Sequence, residues 1–387
     1  MVYILGGWQS DFSDNWARKG MDFADAFAEV VGEGLAAVDL EPKDIDSGHV
    51  GNFVGELFAG QGLLGGFFGL VHPDFDGMPT ARHEAACASG SVAILAAAAE
   101  IEAGHYDLSC VVGLEMMRNV PGQKAAQNLG AAAWTGHELQ DAAFLWPRAF
   151  SDLGEEYDRR WGLKYEHLAR IAEINFANGR RNPNAQTRQW AFNDKSFTQD
   201  DEANPVVEGM IRKNDCGQVT DGSAVVFLAS EKRAAQYAAD RGIPLESLPQ
   251  IKGWGHRSSP ISYERKIRAS EGQPYVFPQV KRAIDDYEYV AIGKGYNKVG
   301  SGNAALTFVA TAVAQRPNMP PPVVSPEVAT DRHRKVDDTP FGGGAGGAVD
   351  LSRRILVHGF HGDAWSVAGR AAGVCGPGGC VARGACA

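Results

Sequence analysis

Residues Ser89–Ala103 form an alanine-rich run that is apolar on nearly every side, with Val92, Ile94, Leu95, Ala96 to Ala99 and Ile101, and it stops at Gly104. The apolar run Asp107–Leu114 follows almost at once. A helix without a polar face must be packed on several sides. A continuous apolar strand belongs at the centre of a sheet covered on both faces. A layered α/β arrangement satisfies both demands. Gly104 supplies the residue that most readily ends such a helix.

The flanking sequence repeats the alternation. Val2–Leu5 reads as a short strand ending in Gly6-Gly7, and Asp22–Ala37 as a helix, with Phe23, Ala26, Phe27, Val30, Val31 and Leu35 along one face. His49–Val54 is a second strand, whereas Gly62–Leu70 suits either a helix or a tight loop. Residues 119–214 are richer in Trp, Asn, Arg and Gln, with helical pieces at Ala149–Arg160 and Lys164–Ala177. This stretch reads as an insertion between two parts of a sheet. Strand sequence returns at Val225–Ala229, a helix follows at Glu231–Arg241, and Gln250–Trp254, Tyr287–Ile292 and Ala304–Ala310 read as further strands. From about residue 316 the chain turns Pro- and Gly-rich, which favours loop over a packed half-domain.

Composition narrows the classes of function. Hydrophobic residues make up 44% of the 387 and charged residues 22%, as in a globular protein. The net charge of −10 gives no overall basic footprint for nucleic acid or an anionic membrane. There is no secretory leader pattern and no apolar run of membrane-spanning length, so a reducing cytoplasm is expected. Six cysteines, at 87, 110, 216, 375, 380 and 386, are too sparse and uneven for a disulfide scaffold. They match no structural zinc spacing, and no metal site is expected.

Cys87 stands where a loop enters the buried helix, among the small residues Ala85, Ala86, Ala88, Ser89 and Gly90. A sulfur there faces the positive end of the helix dipole, which is expected to lower its pKa. The small neighbours, Ala88 and Gly90 in particular, leave room for a substrate carbonyl and for backbone N–H groups to stabilise an oxyanion. The bland alternative is a buried cysteine acting as a small hydrophobe.

The segment His83-Glu84-Ala85-Ala86-Cys87-Ala88-Ser89-Gly90 resembles the nucleophile segment of the thiolase superfamily, nearest to its sterol-carrier-protein-linked thiolases and acetyl-CoA acetyltransferase-like members. Gly104-His105-Tyr106-Asp107 through Glu115-Met116-Met117 resembles the family's next strand, and Asp215 to Ala224 the segment that opens the last strand of its N-terminal half. The resemblance covers roughly residues 1–285. It implies a thiolase-like αβαβα layered fold with an incomplete C-terminal half. The corresponding division is a first part of the N-terminal half at 1–118, an inserted loop domain at 119–214, the end of that half at 215–250, a shortened C-terminal half at 251–315 and a poorly ordered tail at 316–387.

The resemblance also implies an acyltransferase that takes an acyl group from a coenzyme A thioester onto Cys87, with the thioester as substrate and no permanently bound cofactor. A homodimer is implied, with a small OB-fold partner subunit as a further option. The family's Gly-His-Pro signature has no match in this sequence, which leaves the bases that would drive turnover unplaced. Hence three alternatives stay open: an impaired thiolase-fold subunit, an aldolase-like partner protein, or a ketoacyl-synthase-like condensing enzyme. His256 and His83 are candidate cleft residues, each with a structural role as its counter-reading. Arg180, Arg181, Arg188 and Lys195 are candidate contacts for coenzyme A phosphates, or else a solvated cationic face.

Overall fold

The computed structural model describes residues 1–274, 276–293 and 307–312. Eight strands supply one large mixed sheet and a small hairpin: β1 (Val2–Gln9), β2 (Ser47–Gly51), β3 (Thr80–His83), β4 (Leu108–Glu115), β5 (Val206–Glu208), β6 (Ile211–Arg212), β7 (Gly222–Ser230) and β8 (Gln250–Ile251). The large sheet runs β3-β2-β4-β7-β1-β8. Its β3-β2-β4 side is parallel and its β4-β7-β1-β8 side antiparallel. Strands β9 (Gly253–Ser258) and β10 (Thr307–Ala312) form a separate parallel ladder.

Short helices α1 (Trp16–Lys19), α3 (Gly55–Ala59) and α4 (Phe68–Val71) trim the loops around α2 (Phe23–Val38). Asp22 starts α2 with a capping box: its side chain accepts from Ala24 N–H at 2.8 Å, and the Asp25 carboxylate accepts from Asp22 N–H at 3.0 Å. α2 and α9 (Glu231–Asp240) cover one face of the large sheet, and α5 (Ser89–Glu102) covers the other. Period-two alternation explains why β4 reads as unbroken apolar sequence. Cys110, Val112 and Leu114 pack towards α2, while Val111 packs towards α5.

The far side of α5 meets β10, so this helix lies between two sheets. Its lack of a polar face follows from that position. α11 (Pro278–Gly293) closes the next layer: a Cβ on Gly253 would meet Tyr287 at 2.7 Å, and one on Gly255 would meet the Ala283 carbonyl at 1.7 Å. Ala283 and Tyr287 are four residues apart and fully buried, a helical spacing. The run Tyr287–Ile292, expected as a strand, is therefore helical. A short apolar run has no period of its own to separate the two states, and here the flat surface left by two glycines selects the helix. Gln250–Trp254, expected as one strand, is split at Lys252 between β8 on the large sheet and β9 on the ladder. Thr80–His83 carries no apolar pattern, as suits an edge strand, and only the structure identifies it as β3.

Between β4 and β7 lie α6 (Gly122–Leu129), α7 (Leu145–Trp161), α8 (Tyr165–Arg181) and the β5–β6 hairpin. This inserted region packs through Phe150, Leu153 and Ile211 on Tyr263 and Ile267 of α10 (Tyr263–Ala269) and on Val276 beyond it. Tyr263 Oη donates to Asp152 O at 2.8 Å, and Arg160 Nη1 donates to Ser270 O at 2.9 Å across the same contact. The strand expected at Ala304–Ala310 is β10 over its described part, while the whole 316–387 tail lies outside the described residues.

Candidate active site around Cys87

The loop between β3 and α5 is built from its own short contacts. Ala86 sits at φ +49°, left-handed backbone that a residue with a Cβ adopts at a cost. Three bonds hold it there. The Glu84 carboxylate accepts from Ala86 N–H at 2.6 Å, Ser89 Oγ accepts from Ala85 N–H at 2.9 Å, and Ser89 Oγ donates to Ala86 O at 2.6 Å. The chain then turns sharply into α5, placing Cys87 two residues ahead of the helix. Beneath the loop, a Cβ on Gly51 would lie 2.5 Å from Gly90 Cα and 2.8 Å from the Ser89 carbonyl carbon. Only glycine at the end of β2 lets the first turn of α5 seat this low.

Cys87 is half-buried and Cys110 fully buried, and both are free thiols. Burial pushes the Cys87 thiol up to about 12, with Glu115 and then Glu84 adding electrostatically, while its own backbone N–H works in the other direction. The helix terminus thus does not lower the pKa as the sequence suggested. Loss of solvent around the sulfur outweighs a partial charge. The thiol is the resting form, and forming a thiolate needs a proton acceptor.

The expected oxyanion donors are partly engaged. Ala88 N–H donates to Ala85 O at 3.0 Å, and Ser89 N–H to Ala86 O at 3.1 Å. Gly90 lies buried under Gly51. The Cys87 N–H is the amide turned to the sulfur.

His83 lies at the end of β3, opposite Gly51 in the ladder, and turns to a partner that sequence reasoning missed. His49 Nδ1 lies 3.0 Å from His83 Nε2, and His49 Nε2 lies 3.0 Å from Glu100 on α5. The Glu100 carboxylate accepts from His49 Nε2–H, so His49 Nδ1 accepts from His83 Nε2–H. Burial lowers the pKa of both rings, while Glu100 raises each. His49 was hidden because a single histidine in a strand carries no spacing signal. Among the described residues no hydrogen bond links a histidine to the Cys87 sulfur.

His256 lies on β9. Since Gly253 and Gly255 face α11, His256 projects from the opposite face of the ladder, the side of the α5 layer. Its Nε2 is buried and has no hydrogen-bond partner among the described residues. The four candidate cations are largely occupied. Arg188 forms a two-bond pair with Asp11, at 2.8 Å each, and Lys195 bonds Asp200 at 2.9 Å. Arg180 donates to Trp190 O at 3.0 Å and lies over Phe192, and Arg181 bonds the Asn178 side chain. Among the described residues no group of three or more His, Cys, Asp or Glu is placed to hold a metal ion. No helix among them is long and apolar enough to cross a membrane.

Two buried carboxyls missing from the candidate set organise the site. Asp221 accepts from the N–H groups of Trp16 (2.9 Å), Met117 (2.8 Å) and Arg118 (2.8 Å), tying the N-terminal loop to the end of β4. In the sequence Asp221 stood out only as part of the Asp215–Ala224 segment of the resemblance. Glu115, 5% exposed, is bonded by Phe53 N–H and by Asn52 Nδ2.

A layered α/β fold with a cysteine on a strained turn at the head of its buried helix defines a class of thiol-bearing α/β proteins. This chain belongs to the thiolase family: residues 2–232 match the model described as the thiolase N-terminal domain. It is 30% identical over 241 residues to an acetyl-CoA acetyltransferase of Methanocaldococcus jannaschii, covering 61% of this chain and 57% of that one. It is 27% identical over 255 residues to the acetyl-CoA acetyltransferase of Methanothermobacter thermautotrophicus, covering 65% and 62%. Human sterol carrier protein 2 is 25% identical over 277 residues, covering 68% of this chain and 47% of that one. The chain thus spans about six tenths of the length of the archaeal relatives. Among solved structures, an Ltp2–ChsH2(DUF35) aldolase superposes with a TM-score of 0.54 at 17% identity, covering 77% of this chain and 70% of that one. That likeness supports the αβαβα fold.

Proposed function

We propose that this thiolase-family chain transfers acyl groups from acyl-CoA or 3-ketoacyl-CoA thioesters through a covalent acyl-Cys87. The observation that carries the reading is the placement of Cys87: half-buried, on a turn held by Glu84 and Ser89, at the head of a helix seated on Gly51. A sulfur fixed in that way attacks a thioester carbonyl with little loss of rotational freedom, and acyl transfer through it divides one hard step into two easier ones. With an acyl-CoA, the bond from Cys87 Sγ to the acyl carbon forms as the bond from that carbon to the coenzyme A sulfur breaks. With a 3-ketoacyl-CoA, the C2–C3 bond breaks instead. In both cases a base takes the thiol proton and returns it to the leaving group, the coenzyme A thiolate or the C2 carbanion of acetyl-CoA. His256 is the candidate for that base, since its ring nitrogen, unpartnered among the described residues, lies on the α5 side of the β9–β10 ladder.

The acetyltransferases among the relatives support this reading over the impaired-subunit, aldolase-like and ketoacyl-synthase-like alternatives. A homodimer is the proposed assembly. A small second subunit remains an option, because the solved aldolase neighbour is named as a two-component assembly. Incubation of the full chain with acetyl-CoA, followed by peptide mass spectrometry, tests the proposal. An acetyl group on the Cys87 peptide, absent in Cys87→Ser, is expected; an unmodified Cys87 at saturating acetyl-CoA would overturn it.

A further inference from the structure

The acyl-transfer reading leaves one buried group without a role. Glu115 closes β4, an otherwise apolar strand, yet its carboxyl sits inside the protein. Phe53 N–H donates to one oxygen, and Asn52 Nδ2 donates to the other at 3.1 Å. Asn52 Nδ2 also reaches Leu114 O at 2.7 Å, and its Oδ1 accepts from Gly55 N–H at 3.0 Å. The carboxyl therefore fastens the corner that follows β2. That corner continues directly from Gly51, on which the Ser89–Gly90 backbone rests. Arg82 borders the same corner, donating to Phe53 O at 3.0 Å and pairing with Glu56. Of the charged groups that act on the Cys87 sulfur, Glu115 is felt more strongly than Glu84.

We propose that Glu115 is a positioning residue for Cys87: its carboxyl holds the corner under the nucleophile loop and, by keeping or releasing its own proton, governs how readily the thiol ionises. The inference rests on the reading of Cys87 as the acyl acceptor. With the carboxyl protonated, the corner is held by a neutral group and the thiolate forms beside no fixed negative charge. With the carboxyl ionised, the thiolate forms against a second buried negative charge, which raises the thiol pKa further. The groups facing Glu115 oppose one another. Burial raises its pKa most, the Phe53 N–H and then Arg82 lower it, and Glu56 raises it, leaving the carboxyl at about 8. The change of state therefore falls in the neutral to basic range.

Alkylation of Cys87 by iodoacetamide, followed on the Cys87 peptide across that range, tests the proposal. In the natural chain the rate is expected to rise less than tenfold per pH unit around 8, because each Glu115 that ionises holds back the thiolate. Glu115→Gln is expected to restore the full rise and to react about tenfold faster above that point, the equivalent of one unit of thiol pKa. Superimposable profiles in a folded Glu115→Gln protein overturn the proposal.

Should that variant not fold, infrared titration of the natural chain decides. A carboxylic-acid band that persists at neutral pH and shifts when Cys87 is alkylated supports the coupling; no such band, or one indifferent to alkylation, overturns it. The two readings fail separately. An acetyl-Cys87 adduct with superimposable profiles removes only the role of Glu115. A coupled profile without an adduct removes only the acyl transfer.

Discussion

The two faces of the large sheet are both apolar and are packed in different ways. The face under α2 carries large side chains: Phe27, Val30, Phe68, Val112, Leu114 and Phe227, with Phe27 and Phe68 edge-on at 4.9 Å. The face under α5 also holds Phe12, Ile94, Ile101 and Leu228, but along α5 the small residues Ala93, Ala97 and Ala98 lie between them. Large residues bury more area per contact and hold their helix off the sheet. Alanines bury less, and they let α5 settle until its first turn rests on Gly51. One face mainly supplies stability; the other sets the position of the nucleophile.

Substitutions separate those two contributions. Phe27→Ala on the α2 face is expected to cost about 3–5 kcal/mol, the usual result of emptying an aromatic site in a core. Urea unfolding reads that loss, and the rate of Cys87 alkylation in the folded protein should hardly move. A large change in that rate would show that the faces are not independent.

Gly51→Ala on the α5 face is expected to cost less, about 1–3 kcal/mol of overpacking, because a methyl group there meets backbone that must shift. Its effect on Cys87 should nevertheless be greater, with alkylation and any acetyl transfer changed together. Unchanged chemistry would mean that the seat of α5 does not place the sulfur.

Acid–base behaviour sharpens the contrast, since the titratable groups that matter lie around the α5 face. Glu115 has a folded pKa raised to about 8, so its contribution to stability is complete in the acid range below the ordinary carboxylate pKa. It is lost progressively as the pH rises towards 8, with a slope of at most about 1.4 kcal/mol per pH unit. His49 runs the other way. Its folded pKa is lowered by burial, so its contribution is present above the ordinary histidine pKa and is lost as the pH falls below it. Denaturant titrations at several pH values should show both limbs. Glu115→Gln should flatten the basic one and His49→Leu the acid one; limbs that survive both changes would place the titrating groups elsewhere.

The smallest effect is expected far from either face. Lys195 bonds Asp200 at an exposed position, and Lys195→Ala should leave the melting temperature within error. A measurable rise in the KM for acetyl-CoA would restore this lysine as a ligand contact, against the internal pairing observed.

How much of this was legible depended on whether a residue's role was local. The start of α2 at Asp22, the end of α5 near Gly104 and the core strand β4 were readable, because caps and periodicity act within a few residues of sequence. β3 was not, since an edge strand needs no apolar pattern. The helix at Tyr287–Ile292 was misread, since its surroundings chose its state. In the site, Cys87 was visible through its motif. His49, Glu100 and Glu115 were not, because each gains its meaning from a partner many residues away.

The sequence by itself determined that a cysteine heads a buried helix beside a buried strand, because composition and spacing are local and cannot be satisfied otherwise. The tertiary structure alone decided what that cysteine experiences. Burial and neighbouring carboxyls leave the thiol protonated at rest, against the pull of its own backbone N–H. Solvation and through-space charge depend on what folding brings together, and no run of residues records that in advance.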